Sequence, residues 1–204
     1  MITLIHGNND FSAQQELNSL RGVSDYQIVF ADEAKTINEL IFSTDNLSFF
    51  ETDQKFTILK YLSKNRKKSL FNELADYLEK NFENINLVLY ELNKFDARTK
   101  LFRIIKKHGR VIETKPLGET ALLGWVTSRL DEEKINSDFL LNKKIINRVG
   151  VDQNTLSNEL DKLTLLIHAE NRTSIEEKDL LVLTENRDVV IWDFLDALAR
   201  RDKK

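Results

Sequence analysis

Cysteine is missing from this chain of 204 residues, which excludes disulfides, thiolate catalysis and zinc sites with thiolate ligands. A reducing cytoplasm fits this absence most simply, so we expect a cytoplasmic protein. Chain breakers are scarce too, with one proline, Pro116, and six glycines, which predicts long helices joined by short connections. No apolar run approaches the roughly 18 residues that cross a bilayer, and no basic segment precedes an apolar one near Met1. We therefore expect no membrane partner and no targeting segment.

The chain also lacks a large excess of charge of either sign. The chain has 30 Lys and Arg residues against 33 Asp and Glu, a net charge of −3, so no global basic field favours indiscriminate binding to nucleic acid. Two local clusters of cations remain as candidates for contacts with DNA or with a neighbouring subunit: Lys64, Arg66, Lys67 and Lys68 in one turn, and Arg103, Lys106 and Lys107 on one helix. An ordinary solvated surface is the simpler interpretation of both.

Residues with the spacing of a catalytic or metal site are also absent. The three histidines are far apart in sequence and lack metal-ligand spacing: His6, His108 and His168. The third strand-like run ends in Lys60-Tyr61-Leu62, where a nucleotide hydrolase would place a magnesium-binding carboxylate. Glu91 and Asn93 follow the fourth run, where ligands of open α/β sheets collect, and we interpret Asn93 as a turn former. We expect no catalytic residue, no metal and no cofactor.

What the sequence does contain is an alternation of strand-like and helical patterns over residues 1–113. Five short runs rich in Ile, Val, Leu and Phe have the composition of strands buried on both faces: Ile2–Ile5, Gln27–Phe30, Phe56–Leu59, Asn86–Tyr90 and Arg110–Ile112. Helical patterns lie between them, such as the apolar stripe of Leu70, Leu74 and Leu78 and that of Leu101, Ile104 and Ile105. The alternation predicts an α/β domain, residues 1–118, with a parallel five-stranded sheet and helices on both faces.

Beyond Pro116 the strand-like runs stop and helix follows helix. Residues 119–204 form a predicted second, all-helical domain, near the low end of domain sizes. Gly150 is predicted to end one of its helices, and Thr173 with Glu176 has the spacing of a capping box that opens another. The last helical pattern, 191–198, reaches the end of the chain without a cap. We therefore expect that the chain was cut at a boundary or that a further domain is absent.

The first strand-like run passes through Gly7 into a helical pattern, which is the setting of a phosphate-binding loop. Counting G-x-x-x-x-G-K-[ST] from Gly7 puts Ser12 at the second glycine, Ala13 at the lysine and Gln14 at the magnesium-binding hydroxyl. Every chemical group of the motif is missing, so the loop is predicted to be degenerate and to hold no nucleotide. Ser12 with Gln15 has the spacing of a capping box for the first helix.

Two adjacent phenylalanines, Phe49 and Phe50, lie in a polar stretch between a helical pattern and the third strand-like run. Neighbouring residues of a helix or strand face different directions, so both rings cannot enter one core. One interpretation is a loop that folds back over the sheet and covers both rings. The other is an exposed hydrophobic plug for a pocket on a partner, because exposed aromatic pairs dominate interface energies.

Six features of the sequence, taken in chain order, resemble the delta subunits of bacterial DNA polymerase III. They are the degenerate phosphate loop, Leu-Ser-Phe-Phe at 47–50, the segment 90–100 (YELNKFDARTK), Lys115-Pro116-Leu117 followed by Trp125 and Arg129, the segment 157–163 (SNELDKL), and the segment 191–198 (IWDFLDAL). Each feature is short, but their order covers the whole chain. The resemblance implies an AAA+ fold, in which an α/β domain is followed by a helical lid domain and then by a helical collar domain.

The resemblance also implies a function. Delta subunits keep the fold of an ATPase without its chemistry, and they bind and open the ring-shaped sliding clamp as part of the holoenzyme. The clamp-binding element of the family falls on Leu47, Phe49 and Phe50, with Phe where the family usually has Leu. The implied partners are the sliding clamp (beta subunit), other clamp-loader subunits through the collar domain, which we expect to be absent here, and primer-template DNA through the complex. A nucleotide-binding AAA+ relative and a nucleic-acid-binding module stay open as alternatives.

Overall fold

A computed structural model describes residues 1–21, 26–41 and 56–185, apart from the side chains of Arg21 and Asn84. The chain divides into two compact units, Met1–Pro116 and Leu117–Lys204. Among the described residues, no helix is long and apolar enough to cross a membrane.

The first unit is built on a parallel sheet of five strands. The strands are β1 (Ile2–Gly7), β2 (Tyr26–Phe30), β3 (Phe56–Lys60), β4 (Leu87–Glu91) and β5 (Arg110–Thr114). Their order across the sheet is β2-β3-β4-β1-β5. The predicted fold class is confirmed, and every strand boundary lies within two residues of its predicted position.

Helices cover both faces of this sheet. They are α1 (Asp10–Arg21), α2 (Ile37–Ile41), α3 (Ser69–Asn81) and α4 (Lys100–His108). On one face, Leu40, Leu74 and Leu101 from α2, α3 and α4 join a core with alternate residues of β1 and β4. On the other face, Ala13 and Leu17 from α1 pack in a core with Ile5, Ile58, Val88 and Tyr90. The central strands β1 and β4 are buried at every position, as expected for strands covered on both faces.

The second unit contains α5 (Glu119–Glu132), α6 (Phe139–Val149), α7 (Gln153–Ala169) and a 3-10 segment, Glu177–Val182. Leucine and isoleucine side chains from all four elements share one core. Aspartates begin the two later helices, since Asp138 accepts the backbone N–H of Leu141 at 2.7 Å and Asp152 that of Thr155 at 2.8 Å. Gly150 follows α6 with φ 99°, as predicted for the residue that ends this helix.

Both capping boxes predicted from sequence are wrong. The helix α1 begins at Asp10, and Asn9 caps it, because its Oδ1 accepts the backbone N–H of Ser12 at 3.1 Å. In the second unit the box pairs Glu176 with Asp179 instead of Thr173 with Glu176. Asp179 is held there by Arg172, whose two terminal nitrogens each donate to its carboxylate at 2.8 Å. The predicted helix at 191–198 lies outside the described residues.

Candidate functional site

The carboxyl edge of the sheet is where an open α/β fold collects its ligands, and the degenerate phosphate loop lies there. The strand β1 ends at Gly7, beside Thr114 at the end of β5. Gly7 has φ +142°, and a Cβ atom at this position would lie 1.9 Å from the carbonyl oxygen of Thr114. Only glycine fits so close to a neighbouring backbone. Gly7 thus lets the end of β1 approach the end of β5 more closely than any other residue would.

The loop after Gly7 is short and closed by its own hydrogen bonds. The backbone N–H of Asn8 donates to the carbonyl of Thr114 at 3.0 Å. The side-chain amide of Asn9 donates to the carbonyl of Lys115, also at 3.0 Å. A phosphate-binding loop needs backbone N–H groups that point at its anion, whereas the N–H of Asn8 points at the neighbouring strand.

The three residues that replace the phosphate-loop motif lie in the first turns of α1. The N–H groups of Ser12 and Ala13 both donate to Asn9, one to its side chain and one to its carbonyl. Ala13, at the lysine position, is 1% exposed and packs in the core under α1. Gln14 donates to Asn18 at 3.0 Å on the helix surface. A lysine at position 13 would therefore be buried against the sheet.

The same edge contains a buried carboxylate, Glu91, whose hydrogen-bond partner the sequence does not indicate. Glu91 ends β4 and is 1% exposed. It accepts the backbone N–H of Ser63 at 2.9 Å and also the Ser63 hydroxyl. Burial raises the pKa of Glu91, and the hydrogen bonds from Ser63 act against that rise. The alternation of side chains along a strand could have indicated that Glu91 is buried. Leu87, Leu89 and Glu91 point to one face of β4, and the two leucines are core residues.

Replacing Glu91 by glutamine is expected to change how stability depends on pH. The pKa of Glu91 is raised in the folded chain, so its contribution to folding is complete at acid pH and is lost as pH rises through the folded pKa. Glu91→Gln keeps a neutral group and removes this loss. We expect its stability relative to the parent chain to rise from pH 4.5 towards neutrality, measured by urea unfolding.

Glu91→Ala is the control for that measurement. It leaves the half-buried N–H of Ser63 without its acceptor and should cost about 1 to 3 kcal/mol. A glutamine variant with the same pH profile as the parent chain would show that Glu91 is not the titrating group.

The three histidines occupy separate environments. His6 is buried at the carboxyl edge, where its Nδ1 accepts the backbone N–H of Phe95 at 3.1 Å, and burial lowers its pKa. His108 stacks on Phe82 with ring centroids 4.1 Å apart. His168 lies in the second unit, 3.7 Å from a carboxylate oxygen of Glu133. Within residues 1–21, 26–41 and 56–185, no group of His, Asp and Glu side chains could hold a metal ion.

The first cluster of cations (Lys64, Arg66, Lys67 and Lys68, hereafter the loop cluster) follows β3 at the carboxyl edge. Asn65 anchors this loop, since its buried side-chain amide donates to the carbonyls of Ala31 at 2.7 Å and Ala34 at 2.8 Å. The Nζ atom of Lys67 donates to the carbonyl of Lys35 at 3.0 Å. The Nζ atom of Lys68 donates likewise to Ser63 at 3.1 Å. The loop cluster is therefore exposed on a loop with a fixed backbone.

The second cluster lies on α4, with Arg103, Lys106 and Lys107 all exposed. The apolar stripe predicted for this helix is confirmed, because Leu101, Ile104 and Ile105 are buried in the core. The structure does not bring the two clusters together. The loop cluster follows the carboxyl end of β3, whereas α4 ends beside the amino end of β5.

Leu47, Phe49 and Phe50, the predicted clamp-binding residues, lie outside the described residues. The chain leaves the described part after Ile41 and returns to it at Phe56, the first residue of β3. Two other segments of the resemblance do meet in the second unit. Arg129 of α5 donates to Asp161 of α7 at 2.9 Å.

Comparison with known proteins supports the fold. No protein-family model and no curated protein matches the sequence. Among solved structures, the chain is similar to the Bacillus subtilis DNA clamp loader delta protein YqeN, with a TM-score of 0.70 and 16% sequence identity, over 98% of this chain and 63% of that one. It is also similar to the Thermotoga maritima RuvB Holliday junction branch migration motor, with a TM-score of 0.58 and 9% identity, over 88% of this chain and 59% of that one.

These similarities show the fold of the chain. It is the α/β fold that the clamp loader delta protein and RuvB share. The clamp loader delta protein matches this chain over nearly its full length, so the predicted resemblance is confirmed for the fold. The chain spans less than two thirds of the length of either structure.

Proposed function

We propose that this chain acts as a clamp-loader subunit that binds and opens a ring-shaped sliding clamp without hydrolysing ATP. The observation that carries the proposal is the similarity to the clamp loader delta protein over 98% of the chain. The closed loop after Gly7 supports it independently, because a subunit that does not use ATP has no need of a phosphate site.

The proposed clamp-binding residues are Leu47, Phe49 and Phe50, which we take to form a hydrophobic plug. Other clamp-loader subunits and primer-template DNA are the further partners of the proposal. The loop cluster and the α4 cations are the candidate surfaces for them, since exposed lysines and arginines are the groups that contact phosphates and acidic neighbours. No catalytic role is proposed for any residue.

Co-purification with the sliding clamp of the same organism tests the proposal directly. We expect the immobilised clamp to retain the full chain. An unrelated ring protein of similar charge serves as the control. Failure of the clamp to retain the chain, in a preparation whose circular dichroism shows a folded protein, would contradict the proposal.

ATP is expected neither to bind nor to be hydrolysed. A triphosphate would lose the lysine ammonium and the magnesium-binding hydroxyl of a working loop, and the N–H groups of Asn8, Ser12 and Ala13 already have acceptors within the chain. Isothermal titration with Mg-ATP should give no heat of binding, and phosphate release should equal the blank. Micromolar affinity would favour the second candidate, a nucleotide-using AAA+ protein, which the fold shared with RuvB keeps open.

The third candidate, a nucleic-acid-binding module, is distinguished from the other two by the salt dependence of its binding to DNA. Binding of this kind releases counterions, so its affinity falls steeply with salt concentration. Retention of a labelled DNA duplex in the absence of any clamp, with that salt dependence, would support the module. We expect weak or no retention, because the net charge of the chain is −3.

A further inference from the structure

The hydrogen bond that His6 accepts at the end of β1 fixes which ring nitrogen carries its proton. The side chain is 3% exposed, and its Nδ1 accepts the backbone N–H of Phe95 at 3.1 Å. A backbone N–H can only donate, so Nδ1 has no proton and the neutral ring carries its proton on Nε2. The contact with Phe95 therefore selects one protonation state and one tautomer of His6.

The other nitrogen of this ring gives no support to a charged state. Among the residues that the structure describes, nothing accepts a hydrogen bond from Nε2 of His6, which is itself buried. The ring packs edge-on against Phe102 of α4, with centroids 6.0 Å apart. An imidazolium has an N–H on both nitrogens. A protonated His6 would thus point a second N–H at the N–H of Phe95, while the first still lacks an acceptor.

Charged side chains face His6 from both neighbouring strands and from the segment after β4. Glu91 of β4 and Glu113 of β5 lie opposite His6 in the sheet register, one on each side. Lys94 pairs with Glu113 at 3.2 Å. Burial has the largest effect and lowers the pKa of His6, Glu113 raises it, and Lys94 lowers it further. From α4 comes the uncharged ring of Phe102, and α1 packs on the opposite face of the sheet.

Phe95 belongs to the connection between β4 and α4, residues 92–99. Some hydrogen bonds of this connection are local, since Asp96 accepts the backbone N–H of Arg98 at 2.9 Å. The N–H of Phe95 differs, because its acceptor lies on β1, 89 residues earlier in the chain. The side chain of Phe95 is itself part of the core. His6 therefore anchors the backbone of the connection at the residue whose ring enters the core.

The same connection lines a cavity of about 430 Å³ at the carboxyl edge of the sheet. Residues 94–96 contribute to its lining together with Phe71 of α3. The rings of Phe71 and Phe95 are stacked, with centroids 6.0 Å apart. A movement of the connection would therefore change the shape of this cavity.

We propose that His6 is a pH-sensitive latch on the connection between β4 and α4. Neutral His6 holds the connection through Nδ1, and protonated His6 releases it, because two N–H groups cannot share one hydrogen bond. In the released state the ring reaches water, where its pKa returns to about 6.5. The equilibrium constant for release then rises by up to about tenfold for each pH unit below 6.5, until the lower pKa of the latched state is reached. This inference does not depend on the proposed function.

Hydrogen exchange of the Phe95 amide, resolved by NMR in the full chain, tests the latch. Protection is the ratio of the intrinsic exchange rate to the observed rate at each pH. We expect it to be constant above about pH 7 and to fall by up to about tenfold for each pH unit below 6.5. The amide of Leu89, in the middle of β4, should keep its protection. Constant protection of Phe95 from about pH 5 to 7, or an equal loss at Leu89, would overturn the latch.

Two substitutions separate the hydrogen-bond acceptor from the charge. His6→Asn keeps an acceptor near the position of Nδ1 and cannot titrate, so Phe95 should stay protected at every pH. His6→Phe keeps a ring against Phe102 without an acceptor, so protection should be low at every pH. A pH dependence like that of the parent chain in either variant would overturn the inference. If a variant does not fold, the profile of the parent chain decides alone.

Glu91 is a second titrating group beside His6, and Glu91→Gln distinguishes the two. We expect the protection of Phe95 to keep its pH dependence in this variant, because His6 still titrates. Loss of the dependence would assign the release of the connection to Glu91 and overturn the latch.

Discussion

Replacing Phe49 and Phe50 together by alanine is expected to weaken binding to the sliding clamp by about two to four orders of magnitude. Full desolvation of an aromatic side chain in a pocket contributes roughly 1.5 to 3 kcal/mol, so the pair contributes about 3 to 6 kcal/mol. Each tenfold change in the dissociation constant corresponds to about 1.4 kcal/mol, so 3 to 6 kcal/mol is roughly two to four orders of magnitude in affinity. Surface plasmon resonance with immobilised clamp measures it, and the thermal midpoint of the same variant should hardly change.

The competing interpretation of the phenylalanine pair predicts the reverse. If the rings are covered by a folded-back loop, truncating each should cost about 3 to 5 kcal/mol of stability, and any loss of binding would follow from unfolding. Measuring melting temperature and affinity on one double variant separates the two. A variant that melts far below the parent chain, or one that retains its affinity, contradicts the plug.

The matched control for the plug is a second apolar pair on the described surface. Phe139 and Leu140 begin α6 and are 63% and 67% exposed. Their joint replacement by alanine removes a similar apolar area at a site for which no clamp contact is proposed. We expect the clamp affinity of this variant to equal that of the parent chain.

Gly7→Ala is expected to destabilise the first unit by about 3 to 5 kcal/mol, the largest effect on stability that we predict for a single residue. The added Cβ would lie 1.9 Å from the Thr114 carbonyl oxygen, a backbone atom that cannot rotate away, and φ is +142°. Relief would require β1 to separate from β5 at the carboxyl edge. Urea unfolding measures the loss of stability, and faster hydrogen exchange of the β1 and β5 amides would show that the loss lies in residues 1–116.

Gly124→Ala is the control for this prediction. Gly124 lies inside α5, where an added Cβ would meet no atom within 4 Å apart from its chain neighbours and the backbone of its own helix. Alanine there should stabilise the helix by about 0.5 to 1 kcal/mol. If Gly7→Ala unfolds at the same urea concentration as the parent chain, the close approach of Gly7 to Thr114 does not hold in solution.

The elements of the fold could be predicted because their patterns are local. The run from Ile2 to Ile5 and the stripe of Leu101, Ile104 and Ile105 both indicate their own secondary structure from residues a few positions apart, and both are found where predicted. The helix caps could not be predicted in the same way. Asn9, not Ser12, caps α1, because the side chain of Asn9 is also fixed by the carbonyl of Lys115, 106 residues later in the chain.

The sequence by itself determined what the carboxyl edge of the sheet lacks. Ser12, Ala13 and Gln14 stand where a phosphate loop has its second glycine, its lysine and its hydroxyl, and folding does not change which side chains these positions carry. Tertiary structure decided what occupies the edge instead. Gly7 meets Thr114, and Glu91 meets Ser63, only because parallel strands far apart in sequence end side by side. Residue identity fixes the available chemistry locally, whereas burial and hydrogen-bond partners depend on contacts that no local pattern contains.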